Sequence, residues 1–146
     1  MAQVSTYLNF VDSCEAAFEF YKSVFGTDYV MPPSRYSDMA APEGSPAASP
    51  EIANLIMNIQ LPILAGHLLM GSDVPAVFTG SELKTGDNVQ ICLHADSRDE
   101  ADALYAALSA GGTATMPLED QFWGDYYGEL KDKFGVTWLL IHSTQA

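Results

Sequence analysis

The sequence predicts an α+β fold in which two βαβββ modules form a curved, mixed sheet with helices on its outer side. The first observation is an internal repeat: Asp12-Ser13 and, 84 residues later, Asp96-Ser97 each precede an acidic helical pattern that contains a tyrosine. In both copies a glycine follows the helical pattern, and a Met-Pro pair follows the glycine. Because the repeat is too long for a solenoid unit and occurs twice, it indicates a duplicated half-domain.

The second observation is the size and composition of the chain. It has 146 residues, of which 48% are hydrophobic, and this is enough for one packed domain. We expect a single domain over residues 1–146, with module one at 1–75 and module two at 86–146. Two similar halves can enclose a shared cavity, which is the kind of place where a small molecule binds.

The charge of the chain limits its partners. The net charge is −13 and the sequence pI is about 4.2. Nucleic acids and anionic membrane surfaces both require a basic face, so we expect neither as a partner. The apolar segment 61–70 is too short and too interrupted to cross a bilayer. No signal peptide pattern is visible, and Cys14 and Cys92 are not clustered, so we expect reduced thiols and a cytoplasmic protein.

In the first module, strands are predicted at 4–11, 27–31, 52–61 and 64–70. Asp12-Ser13 can cap a helix whose apolar residues follow helical spacing as far as Gly26. Between the second and third strands lie five prolines, which predict a long mobile loop at 33–51. This loop is either a lid over the cavity or disordered surface, and the composition does not decide between them.

In the second module, a strand at 89–95 precedes a helix that begins at Asp96-Ser97 and ends at Gly111. Three more strands are predicted at 113–116, 122–131 and 136–143. Residues 132–135 have the composition of a hairpin turn between the last two strands. The second module therefore repeats the element order of the first.

Alternation of side chains predicts which residues reach the concave face of the sheet. In 89–95 the polar set Gln90, Cys92 and His94 alternates with an apolar set that should face the helix. In 52–61 the concave set includes Asn58 and Gln60, together with Asn54 and Ile56. The 84-residue offset maps the polar set of 89–95 onto Thr6, Leu8 and Phe10. We expect a ligand on this surface, although polar alternation is also typical of a face that only meets water. The candidate ligand-binding residues are Thr6, Leu8, Phe10, Asn58, Gln60, Gln90, Cys92 and His94.

Aromatic residues of the second module form a further candidate. Trp123, Tyr126, Tyr127 and Trp138 could form a wall for a flat ligand, or they could belong to the core or to a dimer seam. We assign Trp138 to the core and include Trp123 among the ligand-binding candidates. The nearby Asp125 and Glu129 could act as general acid and base if buried, but carboxylates near a turn are more often solvated. No catalytic residue is assigned.

The chain resembles the PhnB-like branch of the vicinal oxygen chelate superfamily, the group of glyoxalases, bleomycin resistance proteins and dioxygenases. The resemblance rests on motifs in the expected order over nearly the whole chain. These motifs are Tyr7-Leu8-Asn9-Phe10 followed by Ala17-Phe18-Glu19-Phe20-Tyr21 and Phe25-Gly26, then Gly66-His67-Leu68-Leu69-Met70 with Ser72-Asp73, and finally Phe122-Trp123-Gly124-Asp125-Tyr126-Tyr127-Gly128 with Asp132-Lys133-Phe134-Gly135-Val136-Thr137-Trp138. The resemblance implies paired βαβββ modules and a homodimer.

The resemblance also implies four strand positions that chelate a divalent metal ion in metal-using members. These positions fall on Thr6, Gln60, Gln90 and Leu139 in this sequence. Leucine cannot coordinate a metal ion, and two neutral amides with a hydroxyl do not offset its dehydration. We therefore expect no chelated metal and no cofactor. Cys92 and His94 are the best soft ligands elsewhere, but a zinc site would need a third ligand from another strand.

Three functions follow from these observations. The first is a protein that binds a small organic molecule in a cup without the usual chelated metal. The second is a metal-dependent enzyme of the glyoxalase or dioxygenase type, and the third is a non-catalytic interaction protein. Members of this branch have carried a methyltransferase label, but the sequence has no glycine-rich nucleotide turn between a strand and a helix. The sequence leaves open whether any reaction is catalysed.

Overall fold

A computed structural model describes residues 1–39 and 49–143 of the chain. The chain forms two compact units, Met1–Lys84 and Thr85–Ala146, which we call unit 1 and unit 2. This boundary lies between the predicted modules, 1–75 and 86–146. Among the described residues, no helix is both long enough and apolar enough to cross a membrane.

The described part of unit 1, residues 1–39 and 49–84, contains a four-stranded sheet, one long helix and two short helices. Its sheet has the strand order β1-β4-β3-β2, in which β1 and β4 are parallel and the other neighbours are antiparallel. The elements in chain order are β1 (Thr6–Phe10), α1 (Cys14–Phe25), β2 (Ser34–Arg35), a 3₁₀ turn (Tyr36–Asp38), α2 (Pro50–Ala53), β3 (Ile56–Pro62), a 3₁₀ turn (Leu64–Gly66), β4 (Leu68–Asp73) and α3 (Ala76–Thr79).

Unit 2 has the same topology without the short helices. Its elements are β5 (Ile91–His94), α4 (Arg98–Ser109), β6 (Thr113–Asp120), β7 (Asp125–Lys131) and β8 (Thr137–Ser143). The strand order is β5-β8-β7-β6, and β5 pairs in parallel with β8. The helices α1 and α4 each have 12 residues and begin 84 positions apart. The predicted α+β fold of paired βαβββ modules is confirmed.

Each unit buries one face of its sheet under its long helix. In unit 1 the buried set comprises Ala17, Phe18 and Tyr21 of α1 with Ile59, Leu61 and Leu69 of the sheet. In unit 2 it comprises Ala101, Leu104 and Leu108 of α4 with Leu130, Trp138 and Leu140. Removal of this apolar surface from water is the main favourable contribution to folding in each unit.

The N-termini of the two long helices are capped in different ways. In α4 the cap is the one predicted, because Ser97 Oγ accepts a hydrogen bond from the backbone N–H of Glu100 at 3.0 Å. In α1 the side chain of Ser13 makes no capping bond. The buried carboxylate of Asp73 instead accepts from the N–H of Cys14 at 3.0 Å and from the N–H of Ile56 at 2.9 Å. Burial raises the pKa of Asp73, and these two N–H donors counteract the rise.

In unit 1 the second strand does not lie where it was predicted. Residues 27–31 do not form a strand; they run beside β3, with Thr27 Oγ1 donating to the carbonyl of Pro62 at 2.6 Å. The second strand of the unit is instead β2, which lies inside the predicted loop 33–51. Arg35 fixes it by donating to the carboxylate of Glu15 in α1 and to the carbonyl of Asn54. Such contacts between distant segments are not visible in a local pattern, and residues 40–48 of the loop lie outside the described residues.

Strand boundaries also differ where short turns interrupt the pattern. β3 begins at Ile56 rather than at residue 52, because Pro50 starts the one-turn helix α2. β4 covers Leu68–Asp73 rather than 64–70, because a 3₁₀ turn with Ala65 at φ +53° precedes it. In unit 2, β6 extends beyond the predicted 113–116 and a tight turn at 121–124 separates it from β7.

The predicted hairpin turn at 132–135 is present, and a buried aspartate organises it. The N–H of Gly135, at φ +92°, donates to the carbonyl of Asp132 at 3.0 Å. The carboxylate of Asp132 accepts from the N–H groups of Phe134 and Val136. It also accepts from Nε1 of the buried Trp138 at 2.8 Å. This carboxylate therefore joins the turn to the core of unit 2.

We predict that Asp132→Asn lowers the free energy of unfolding by about 1–3 kcal/mol, because the amide leaves one buried donor without an acceptor. Urea unfolding followed by circular dichroism measures the change. Asp125→Asn is the matched control: Asp125 accepts from the indole of the partly exposed Trp123 at 2.9 Å, and we expect its change to stay within about 0.5 kcal/mol. Equal effects of the two substitutions would contradict the assignment.

Candidate functional site

The side of the unit 2 sheet that lies opposite α4 is called the open face of unit 2. Strand register arranges its side chains in two central rows that run from β5 across β8 and β7 to β6. The first row is Cys92, Leu139, Glu129 and Met116. The second row is His94, Ile141, Tyr127 and Glu119.

The predicted alternation of 89–95 holds within β5. Leu93 and Ala95 are buried on the helix side, while Cys92 and His94 are exposed on the open face. Val89, which was expected on the helix side, is instead 74% exposed because it precedes the strand. In the centre of the sheet, Leu139 and Ile141 of β8 are partly buried on the open face.

Polar contacts connect the side chains of this face. The side-chain amide of Gln90, just before β5, donates a hydrogen bond to Oε1 of Glu129. Cys92 Sγ lies 3.6 Å from Nε2 of His94. Burial, the charge of Glu129 and a hydrogen bond with Glu129 raise the pKa of Tyr127, so the phenol stays protonated at neutral pH. Of the two proposed acid–base residues, Glu129 therefore belongs to this network.

The aromatic cluster divides between the two sides of the sheet. Trp123, 45% exposed, contacts Tyr127 edge to face, with the ring centroids 5.8 Å apart. Tyr126 points to the helix side, where its hydroxyl donates to Asp102 of α4. Trp138 is fully buried, as expected for a core residue. Trp123 thus borders the open face beside Tyr127, while its indole N–H donates to Asp125.

Unit 1 has an equivalent open face, on the side of its sheet away from α1. Asn58 and Gln60 of β3 lie there as predicted, and Gln60 Nε2 donates to Asn58 Oδ1 at 3.1 Å. The register places Met70 and Ser72 of β4 on the same side, with Tyr7 and Asn9 of β1. The hydroxyl of Ser72 is 3.4 Å from Asn9 Oδ1. Ile56, which was grouped with this polar set, is fully buried.

The prediction that Thr6, Leu8 and Phe10 face this side is wrong. Phe10 is 4% exposed and contacts Phe18 of α1 edge to face at 6.4 Å. Leu8 pairs with Gly71, and a Cβ at Gly71 would meet the Phe18 ring at 2.6 Å. The register therefore turns all three side chains towards the helix, and Tyr7 and Asn9 take the open positions.

The physical reason for this error is a change in the spacing of the repeat. The two long helices begin 84 residues apart. The residues of β1 that face the helix are even-numbered and those of β5 are odd-numbered, so the two strands match only at an odd offset such as 85. Because side chains alternate with a period of two, a one-residue shift moves a whole strand set to the other face. Tyr7 and Asn9 were missed for this reason, and the signal that could have identified them was the apolar pair Leu8 and Phe10.

The four positions that the resemblance assigns to a metal ion do not fit a divalent cation. In unit 1, Thr6 faces the helix side with its hydroxyl 2.9 Å from His67 Nε2, and Gln60 is bonded to Asn58. In unit 2, Leu139 has no donor atom and Gln90 is bonded to Glu129. Neither unit thus offers a set of oxygen or nitrogen ligands at these positions. Within residues 1–39 and 49–143, no group of three or more His, Cys, Asp or Glu residues could hold a metal ion.

Solved structures share this fold. Protein PA1353 from Pseudomonas aeruginosa has a TM-score of 0.77 at 28% identity, with 98% of both chains covered. A PhnB protein from Bacillus cereus has a TM-score of 0.74 at 24% identity, covering 97% of this chain and 100% of that one. A glyoxalase/bleomycin resistance protein/dioxygenase family enzyme from Burkholderia phytofirmans has 0.63 at 16%, covering 94% and 97%. The last two show likeness of fold alone.

Two four-stranded units, in which β1 and β5 pair in parallel with their neighbours, have the fold of the vicinal oxygen chelate class, and these structures share it. Within that class, the chain belongs to the PhnB-like family whose model, described as 3-demethylubiquinone-9 3-methyltransferase, matches residues 2–141. The membership of the PhnB-like family that the sequence motifs suggested is confirmed.

The assignment of Leu8 and Gly71 to the helix side predicts that Gly71→Ala is destabilising. The new Cβ would overlap the fully buried Phe18 ring and lie 3.1 Å from the Leu8 carbonyl oxygen, so we expect a loss of about 1–3 kcal/mol in unfolding free energy. Gly86→Ala is the control, because the exposed Gly86 has its nearest neighbour at 3.4 Å. A neutral Gly71→Ala in urea unfolding would mean that β1 and β4 present their other faces to the helix.

The two cysteines should differ in reactivity. Cys14 is fully buried, and burial with the charges of Asp73 and Glu15 raises its pKa strongly; Cys92 is exposed, and partial burial raises its pKa less. We expect a disulfide reagent such as DTNB to modify one thiol in the native protein, at a rate that continues to increase with pH in the alkaline range because the pKa of Cys92 is raised. Cys92→Ser should abolish this reaction, while Cys14 reacts only in denaturant. Rapid modification of two thiols would contradict this expectation.

Proposed function

We propose that this protein binds a small organic molecule on the open face of unit 2, without a metal ion held at the four positions named above. The observation that carries the proposal is the composition of that face. Leu139 and Ile141 form an apolar centre, and hydrogen-bonding groups surround it on both sides. An apolar floor with a few oriented polar groups is typical of sites for small molecules.

The same composition argues against a face that only meets water. A solvated sheet face usually carries polar residues at every outward position. Here the central strand β8 presents two aliphatic side chains, and Met116 continues the apolar surface on β6. The polar groups Gln90, Glu129 and Tyr127 are held by contacts with one another, which reduces the entropy lost when a ligand is bound.

The family description names methyl transfer, but no observation on this chain favours it. A nucleotide methyl donor of the usual kind is held by a glycine-rich turn between a strand and a helix. Here a backbone N–H group at the start of α1 donates to Asp73, and one at the start of α4 donates to Ser97, so neither N-terminus presents a glycine-rich turn.

A metal-dependent reaction of the glyoxalase or dioxygenase type lacks support because the side chains at the four positions do not form a set of ligands for a divalent ion. The homodimer stays a prediction from the resemblance.

The proposal is tested by a ligand screen with matched variants. A library of small aromatic and aliphatic compounds is screened by ligand-observed NMR, and affinities are then measured by calorimetry. We expect Tyr127→Ala to weaken the hits about tenfold, which corresponds to about 1.4 kcal/mol, while Tyr126→Ala on the opposite face changes them less than about twofold. Compounds that bind equally to both variants would place the site elsewhere.

The metal part of the proposal has its own experiment. The purified protein is supplemented separately with Zn²⁺, Ni²⁺, Mn²⁺ and Fe²⁺, and bound metal is quantified after gel filtration. We expect far less than one ion per chain. Stoichiometric metal that is lost in Gln60→Ala and Gln90→Ala would overturn this part and favour the metal-dependent enzyme.

A further inference from the structure

We propose that the molecule bound on the open face of unit 2 is an amine carried on a flat apolar body, and that Glu129 receives its ammonium group. This inference deepens the proposed function and rests on it. It goes further by committing to the charge of the ligand and by naming the residue that selects it. Because the face is negatively charged, we expect anionic compounds of the same size, such as phosphonates and carboxylates, to bind weakly.

Glu129 lies among apolar side chains, where its negative charge attracts a cation strongly. Its strand register places it between Leu139 on β8 and Met116 on β6, and its residue is partly buried. Apolar neighbours lower the local dielectric constant, so a carboxylate there attracts a cation more strongly than a carboxylate in water. The central place in its row lets a molecule lying on Leu139 and Ile141 reach it.

The hydrogen-bond partners of Glu129 orient its carboxylate and bring no positive charge to it. Gln90 donates a neutral hydrogen bond to Oε1, and Tyr127 is a neutral phenol. Within residues 1–39 and 49–143, Glu129 is in no ion pair, whereas Lys22–Asp28, Glu15–Arg35 and Arg98–Asp120 are examples of such pairs. Lys131, the next open-face residue on β7, forms none of these pairs. A ligand cation is the group that can complete this site.

The side chains around Glu129 can contact a planar apolar group attached to the ammonium of the ligand. Leu139 and Ile141 give an aliphatic floor, and the rings of Tyr127 and Trp123 stand in edge-to-face contact at one side. Rings in this arrangement can contact a planar apolar group and can also stabilise a nearby ammonium through their faces. Glu119 and Asp125 add negative charge to the same face, and among the described residues of its four strands Lys131 is the cation that opposes them. An anion would therefore meet repulsion over most of the face.

The test uses three probes of one shape and different charge: 2-naphthylmethylamine, 2-naphthalenemethanol and 2-naphthoate. Their affinities are measured by calorimetry at pH 7 and about 150 mM salt, where charges more than about 8 Å apart are largely screened. We expect the amine to bind at least tenfold more tightly than the naphthoate, with the alcohol between them. Equal affinities, or a preference for the naphthoate, would overturn the inference.

Two variants assign the preference to one residue. Glu129→Gln keeps the shape and an acceptor for Gln90, and it should reduce the ratio of amine to naphthoate affinity at least tenfold while leaving the alcohol within threefold. Asp99→Asn removes one negative charge from the exposed surface of α4, on the other side of the unit 2 sheet, and should change the ratio less than twofold. An equal loss in both variants would mean that the general acidity of the chain, net −13, causes the preference, and this would refute the role of Glu129.

The remaining outcomes are also decisive. If Glu129→Gln does not fold by circular dichroism, Glu129→Met replaces it: this side chain has a similar length and suits the neighbours Leu139 and Met116, and the amine preference should fall at least tenfold as well. Affinity that decreases as the protein concentration rises would show that a second copy of the chain covers this face, and this overturns the inference. If neither the probes nor any library compound binds, the proposed function itself fails; if they bind without a charge preference, only this inference fails.

Discussion

Burial of one side of each sheet under a single helix is the constraint on which the rest of the structure depends. Because side chains alternate along a strand, the contact of Phe18 with Gly71 in unit 1 turns Leu8 and Phe10 inward and leaves Tyr7 and Asn9 outside. In unit 2 the burial of Leu140 under α4 likewise brings Leu139 and Ile141 to the open face. The surface available for function is thus whatever the packing of the core leaves over.

The sequence was sufficient for features that are encoded locally. Both long helices, the Ser97 cap and the turn at 132–135 follow from short patterns of capping, apolar spacing and glycine. The second strand of unit 1 does not follow from such a pattern, because β2 has two residues and is held by hydrogen bonds from Arg35 to Glu15 and Asn54. Asp73 was equally hidden, since it caps α1 from a strand 59 positions away. Long-range contacts of this kind leave no periodic signal.

The side chains on the open faces were predicted correctly where the alternation within the strand itself was the evidence. Cys92, His94, Asn58 and Gln60 lie on the open faces because their own neighbours alternate with them. Thr6, Leu8 and Phe10 were transferred from the repeat, and the transfer failed because helix and strand do not repeat at the same spacing. Tyr127 and Glu129 reach the open face through the pairing of β7 with β8, which a single strand does not disclose.

The cross-strand pairing of Leu139 with Glu129 links the positions expected for a metal ion to the proposed ligand site. Leu139 stands where the resemblance implies a ligand to the metal, and its cross-strand partner on β7 is the carboxylate Glu129. A carboxylate bound to a divalent ion would have its charge neutralised by that ion. Here Gln90 and Tyr127 supply only neutral hydrogen bonds, which fix the direction of the carboxylate and preserve its charge. In the proposed site, the positive charge beside Glu129 is therefore supplied by the ligand.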